Sequence, residues 1–186
     1  MHAGAMRALE FNRIVAVVAD LTVTPTGRGR LAELHPFSDA AEVIAAQQAT
    51  TEGTRFLEEQ PGFPLRAPAE LDEILDALGL EGRALEPLRL LGLSDYLESI
   101  EQSRNAVTRL QAPFPILRAL VETVASFRGE VADVRRKIDP GGAVADNASA
   151  ALASIRERLR RQRTRLRTTL EAFLRGPDSA KYLQQQ

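Results

Sequence analysis

Apolar residues recur at spacings of three and four along almost the whole chain, and that period belongs to the α-helix. Phe11, Ile14, Val15, Val18 and Leu21 form one such stripe, with Asn12, Arg13 and Asp20 off its face, which predicts an amphipathic helix over residues 7–21. Thr24-Pro25-Thr26 supplies a cap and a first-turn proline for a second helix, containing Leu31 and Leu34, that His35-Pro36 closes. Ser38 is expected to cap a third, running through Val43 and Ile44 to Phe56 and Leu57 until Gln60-Pro61-Gly62-Phe63-Pro64 breaks it. A shorter helix over 69–78 ends at Gly79. The next, over 85–110, has Leu90, Leu93, Leu97, Ile100 and Val107 as its expected buried stripe. Gly92 inside it costs about 1 kcal/mol relative to alanine and marks a candidate break. Pro113 and Pro115 open a further segment in which Ile116, Leu117, Leu120, Val121 and Val124, then Val131, Val134 and Ile138, keep the helical period. No stretch alternates apolar and polar residues long enough to read as a strand. The predicted fold class is therefore all-α, a helical bundle.

Asp139-Pro140-Gly141-Gly142 is the strongest punctuation in the sequence and divides it into a helical body, residues 1–138, and a C-terminal segment, residues 139–186. Beyond it Asp146 or Asn147 is placed to cap a helix that meets no glycine or proline before Gly176-Pro177. Twenty-nine residues at 1.5 Å each make a rod of roughly 43 Å. Its apolar positions, Ala148, Leu152, Ile155, Leu159, Leu166, Leu170 and Phe173, form a narrow seam of coiled-coil type, interrupted by Gln162. Such a helix wants a partner helix on one side and water, or something acidic, on the other.

Charge sharpens that division. The net charge of -1 hides 9 Lys and Arg against 4 Asp and Glu after residue 145, and 15 against 21 before it. Seven of the twelve residues over 156–167 are arginine, and Arg156, Arg160, Arg163 and Arg167 line up by steps of four, three and four. Guanidinium groups fork onto phosphate oxygens, so these four are candidate nucleic-acid contacts that would follow a backbone without reading bases. The competing and favoured reading is structural: a long helix with a charged exterior, its arginines paired with carboxylates on a neighbour.

Composition narrows the chemistry. A chain of 186 residues with 44% hydrophobic and 26% charged residues has the makeup of an ordinary globular protein of one domain or a little more. Without cysteine, and with only His2 and His35, thiolate chemistry is excluded and a metal centre has almost no ligands to draw on. No apolar run suits a membrane span and no signal peptide is visible, so the cytoplasm is the expected location. Gly27-Arg28-Gly29-Arg30-Leu31-Ala32 matches a dinucleotide fingerprint in letters only, since no strand delivers it to a helix within a βαβ unit. The lysines, Lys137 and Lys181, follow Arg136 and Ala180, so no phosphate loop is present. Asp72, Glu73 and Asp76 read as a solvated helix face rather than a magnesium site. No catalytic residue, cofactor site or metal site is assigned to this chain.

Leu9-Glu10-Phe11 with Ile14, then Thr26 and Gly27, then Leu31, Leu34 and Pro36 resembles the opening of the bacterial MutS-related family. More specifically it is similar to the second-type MutS paralogues, linked to suppression of recombination. Ile138-Asp139, Gly142, Val144, Asp146, Ala148, Ser149, Leu152, Ile155 and Arg156 follow that family's signature at the base of its lever helix, and Lys181-Tyr182-Leu183-Gln184 resembles the lead-in to the segment beyond. The resemblance covers nearly all of the chain, by pattern more than by residue over 60–111. It implies a non-catalytic helical core and an ascending lever helix, whose partner would be a helix returning from a DNA-embracing clamp. It further implies that this is an N-terminal fragment, or an unusually short relative, of a homodimeric ATPase. That parent would use ATP and magnesium to control its grip on branched or recombining DNA, with an endonuclease module in some members and a role at ribosomes in others. A free-standing helical adaptor that docks the arginine helix on an acidic protein or RNA is the alternative.

Overall fold

The computed structural model describes residues 8–60, 62–111 and 113–175, and among them eight helices and no sheet. They are α1 (Phe11–Ala19), α2 (Pro25–Ala32), α3 (Ala40–Glu59), α4 (Leu71–Leu78), α5 (Pro87–Arg109), α6 (Pro115–Glu122), α7 (Arg128–Lys137) and α8 (Ala150–Arg175). The features read at His2, Pro61, Gly176-Pro177 and Lys181-Tyr182-Leu183-Gln184 lie outside the described residues. The all-α class stands, and no described helix is long and apolar enough to cross a membrane.

The long helix α5 is the hub. It touches α4, α6 and α7; α6 also rests on α3, while α4 continues the assembly through α2 to α1. Phe56 of α3, Val107 of α5 and Phe114 at the start of α6 are buried together, with Leu110, Leu117 and Val121 against them. The Phe56 ring meets Phe63 and Phe114 edge to face, at centroid distances of 5.6 and 5.8 Å. Phe114 offers no side-chain cap to α6, so the buried carboxylate of Glu52 reaches across from α3 and accepts the Leu117 N–H at 2.7 Å. A helix N-terminus is where an acceptor and a negative charge are both favoured. Leu71, Ile74 and Ala77, on one face of α4, make a second small core where that helix meets its neighbours.

Several local expectations hold. Thr24 Oγ1 accepts the Gly27 N–H at 3.0 Å with Pro25 in the first turn, α4 ends at Gly79, and α3 stops at Glu59. Others need correction. The third helix is capped by Asp39, whose Oδ2 accepts the Glu42 N–H at 3.2 Å, because the helix begins one residue later than Ser38 would require. In α1, Phe11 and Val15 are half-buried and Ala19 is buried, whereas Ile14 and Val18, and Leu21 just beyond, are exposed; among the described residues its main packing is against α2. The segment after Pro113 breaks after Glu122 into α6 and α7.

The largest correction concerns α5. It runs unbroken through Gly92, and its fully buried residues are Ser94, Ser99, Ser103 and Val107, with Leu90, Leu93, Leu97 and Ile100 only half-buried. The extended segment leading into α4 explains this. Ser99 Oγ accepts the Arg66 N–H at 3.0 Å, with the Tyr96 and Arg66 carbonyls also within reach of its hydroxyl. A Cβ on Gly92 would lie 3.6 Å from Pro68. Small residues let a second backbone lie against the helix, and Ser99 uses its polarity to hold that backbone, whereas Ser94 Oγ is buried with no hydrogen-bond partner among the described residues and contributes only its small size.

Candidate nucleic-acid interface

The arginine helix is joined to the body by a built turn. Ile138 and Val144 form an isolated antiparallel bridge, and between them Asp139 Oδ1 accepts the N–H groups of Gly141 and Ala143, both at 2.9 Å. The Asp139 N–H donates to the Ala143 carbonyl at 3.0 Å and the Ala145 N–H to that of Lys137 at 2.7 Å. Gly142 closes the turn at φ +82°, and a Cβ there would sit 2.8 Å from Leu88 at the start of α5. Asp-Pro-Gly-Gly supplies the aspartate acceptor and the left-handed glycine that such a turn requires.

Asp146 does not cap α8. Ser149 takes that place, accepting the Leu152 N–H at 3.1 Å, and α8 begins at Ala150. Asp146 is instead the anchor. Its Oδ1 accepts from Arg156 Nη1 at 2.5 Å and its Oδ2 from Arg160 Nη2 at 2.9 Å, while Arg156 Nη1 also donates to the Val144 carbonyl at 2.7 Å. One carboxylate thus ties the second and third turns of the helix back to the turn that seats it. The hydrogen bond from Arg156, followed by that from Arg160, holds the Asp146 carboxyl below its ordinary value of 3.8. A group depressed on folding stabilises the folded state above its unfolded pKa, and that contribution is lost as pH falls through the folded value. The amide resonances of residues 144–160 should therefore stay fixed from about pH 8 to about pH 5 and move only below about pH 4. Movement near neutrality would contradict the Asp146 tether.

The four candidate arginines divide accordingly. Arg156 and Arg160 meet on Asp146, and Arg160 also lies 3.6 Å from Glu157. Arg167 pairs with Glu171 at 2.9 Å, one turn on, with its side chain 83% exposed. Arg163 has no carboxylate partner among the described residues, nor do its neighbours Arg158 and Arg165. An exposed pair such as Arg167 with Glu171 is worth at most about 1 kcal/mol, so another anion can replace the glutamate. Arg156, about one-third exposed and held by both a carboxylate and a carbonyl, is committed to the joint. The anchoring role of Asp146 was hidden in the sequence because the same letter serves equally as a helix cap. Its visible signal is an acid just ahead of a helix with arginines four residues apart.

Elsewhere, Gly27 and Gly29 lie inside α2, Glu73 pairs with Arg89 at 3.2 Å, and Asp72 accepts from Thr26 Oγ1 at 3.3 Å. Among the described residues, no group of three or more histidine, aspartate and glutamate side chains is placed to hold a metal ion. Beyond Arg156 every residue of α8 is exposed, Leu159 at 48% and Leu166 at 61% among them.

No family model matches the chain. Along nearly its whole length, however, it is similar to curated proteins named Endonuclease MutS2. The identity is 34% with that of Symbiobacterium thermophilum over 99% of this chain, and 28% with that of Pelotomaculum thermopropionicum over 100%. It is 30% with that of Listeria innocua, over 94% of the chain. The chain is thus homologous, along nearly its whole length, to a part of the MutS2 proteins. It spans about 23% of the length of the first two relatives and 22% of the third. The run from Ile138 to Arg156 that resembles the MutS signature is also the run that folds into the seated turn, the Asp146 tether and the first turns of α8.

Proposed function

We propose that this chain is the non-catalytic helical core and lever region of a cytoplasmic, DNA-binding ATPase of the MutS2 family that acts on branched or recombining DNA. The body over residues 1–138 serves as the platform, and the segment over 139–186 carries the lever toward a clamp. The observation that carries the reading is the form of α8: fastened at its base through Asp146 and presenting an apolar seam that is exposed at Ile155, Leu159 and Leu166. A helix held at one end and made to be partnered along its length suits transmission between distant parts better than it suits catalysis. ATP, magnesium, homodimerisation and any endonuclease or ribosome-linked activity belong in this reading to the full-length parent.

Direct contact of Arg156, Arg160, Arg163 and Arg167 with phosphates is the lesser part of the reading, because three of the four already hold carboxylates. The 186-residue chain should show no binding heat with ATP and magnesium in a calorimetric titration. The full-length parent should bind branched DNA with an affinity that ATP changes, and an ATP-insensitive grip would defeat the proposal. Replacing the four arginines with glutamine should leave the weak DNA affinity of the chain and its salt slope nearly unchanged while thermal stability drops. A slope of log K against log salt reduced by about one per residue would instead return them to the phosphate backbone.

A further inference from the structure

The seam of α8 carries more than an apolar stripe. With Leu152 at position a of a heptad, Ile155 is d, Leu159 a, Gln162 d and Leu166 a. Arg156 and Arg163 then fall at e and Arg158 and Arg165 at g, so arginine borders the seam on both sides. Positions e and g face the partner helix across its flanks and choose it by charge. Arg156 is spent on Asp146 and Val144, whereas Arg158, Arg163 and Arg165 have no carboxylate among the described residues. The seam itself is open, with Ile155 59% and Leu166 61% exposed.

A second copy of α8 is the wrong occupant. In a parallel pair g of one helix meets e of the other, placing Arg158 against Arg163; in an antiparallel pair e meets e and g meets g, again arginine against arginine. Both arrangements set like charges side by side at the edge of an apolar contact. Nucleic acid would satisfy the charges and leave the leucines in water. What satisfies both is an amphipathic helix with apolar residues at its own a and d positions and glutamate or aspartate beside them.

We propose that α8 is a selective dock for one acid-flanked helix, with Arg158, Arg163 and Arg165 as its specificity-determining residues. This rests on the lever reading and names the chemistry of the lever's partner. The flanks reject self-association and the seam rejects nucleic acid, so the same residues that attract the partner exclude two competitors. Gln162, polar at a d position, fixes the register in which the two helices meet.

Two synthetic heptad peptides test it, alike in leucine at every a and d and differing only in glutamate or lysine at every e and g. Neither pairs well with itself at neutral pH, so each is available to the chain. The 186-residue chain should bind the glutamate peptide at least about tenfold more tightly than the lysine peptide at low salt, a preference that shrinks as salt is added. The triple variant R158E/R163E/R165E should reverse the preference, with helicity by circular dichroism confirming that it folds. Equal affinity for the two peptides, no binding of either, or displacement of the bound peptide by duplex DNA at matched charge would each overturn the proposal. An ATP-insensitive parent would defeat the lever reading without altering the peptide result, so the two failures are distinguishable.

Discussion

Replacing Phe114 with alanine should cost the body about 3–5 kcal/mol of stability, the range for a large buried aromatic whose site cannot collapse. Phe114 is fully buried against Phe56 and Val107, elements separated by some fifty residues of chain, and its backbone opens α6. Its loss therefore leaves a cavity where α3, α5 and α6 meet. A domain of this size has only about 5–15 kcal/mol in total, so urea unfolding followed by circular dichroism should show a much lower midpoint. Leu120→Ala on the same helix is the control: that side chain is 61% exposed, and its removal should cost under about 1 kcal/mol. Equal effects of the two changes would mean that Phe114 does not organise the core.

The second large effect is expected at Gly142. Alanine there meets a backbone at φ +82° and a Cβ contact of 2.8 Å with Leu88. Leu88 is 60% exposed and can swing aside, so the backbone strain dominates, at about 1–2 kcal/mol. The damage should be local. Hydrogen exchange at the amides of Gly142 and Ala145, which donate within the turn, should quicken while the core around Phe56 keeps its protection. Gly29→Ala should do the opposite: it lies inside α2 with open space around it, and the change should stabilise by up to about 1 kcal/mol. If the two substitutions behave alike, Gly142 does not hold the turn as described.

Helix starts and stops were legible where the chemistry is local. Thr24-Pro25, Gly79 and Asp139-Pro140-Gly141-Gly142 act through their own neighbours, and the structure keeps all three. The apolar period also gave the eight helices their class, though not all their boundaries, since proline-free residues 123–127 interrupt what reads as one continuous pattern. What the pattern could not tell was which face of α5 is covered. That depends on the extended segment around Arg66 and Pro68 lying against Gly92 and Ser99, a contact between residues about 25 to 33 apart that leaves no period in the sequence. The arginine stripe was legible as charge and as spacing. Its division into committed and available members was not, because a single acid ahead of the helix, Asp146, decides it by folding back.

The one-ended fastening of α8 has a geometric consequence. From Ala150 to Arg175 the helix rises about 39 Å, at 1.5 Å per residue. Its polar hold at the base includes the Asp146 carboxylate, gripped by both Arg156 and Arg160, and the Val144 carbonyl, gripped by Arg156, all near the near end. A rotation of only about 10° at that grip sweeps the far end through about 7 Å, more than one helical pitch. Ångström-scale adjustments of two guanidinium groups and their acceptors are thereby multiplied into displacements on the scale of a whole turn of helix, and the gain is set by nothing but the length of the rod.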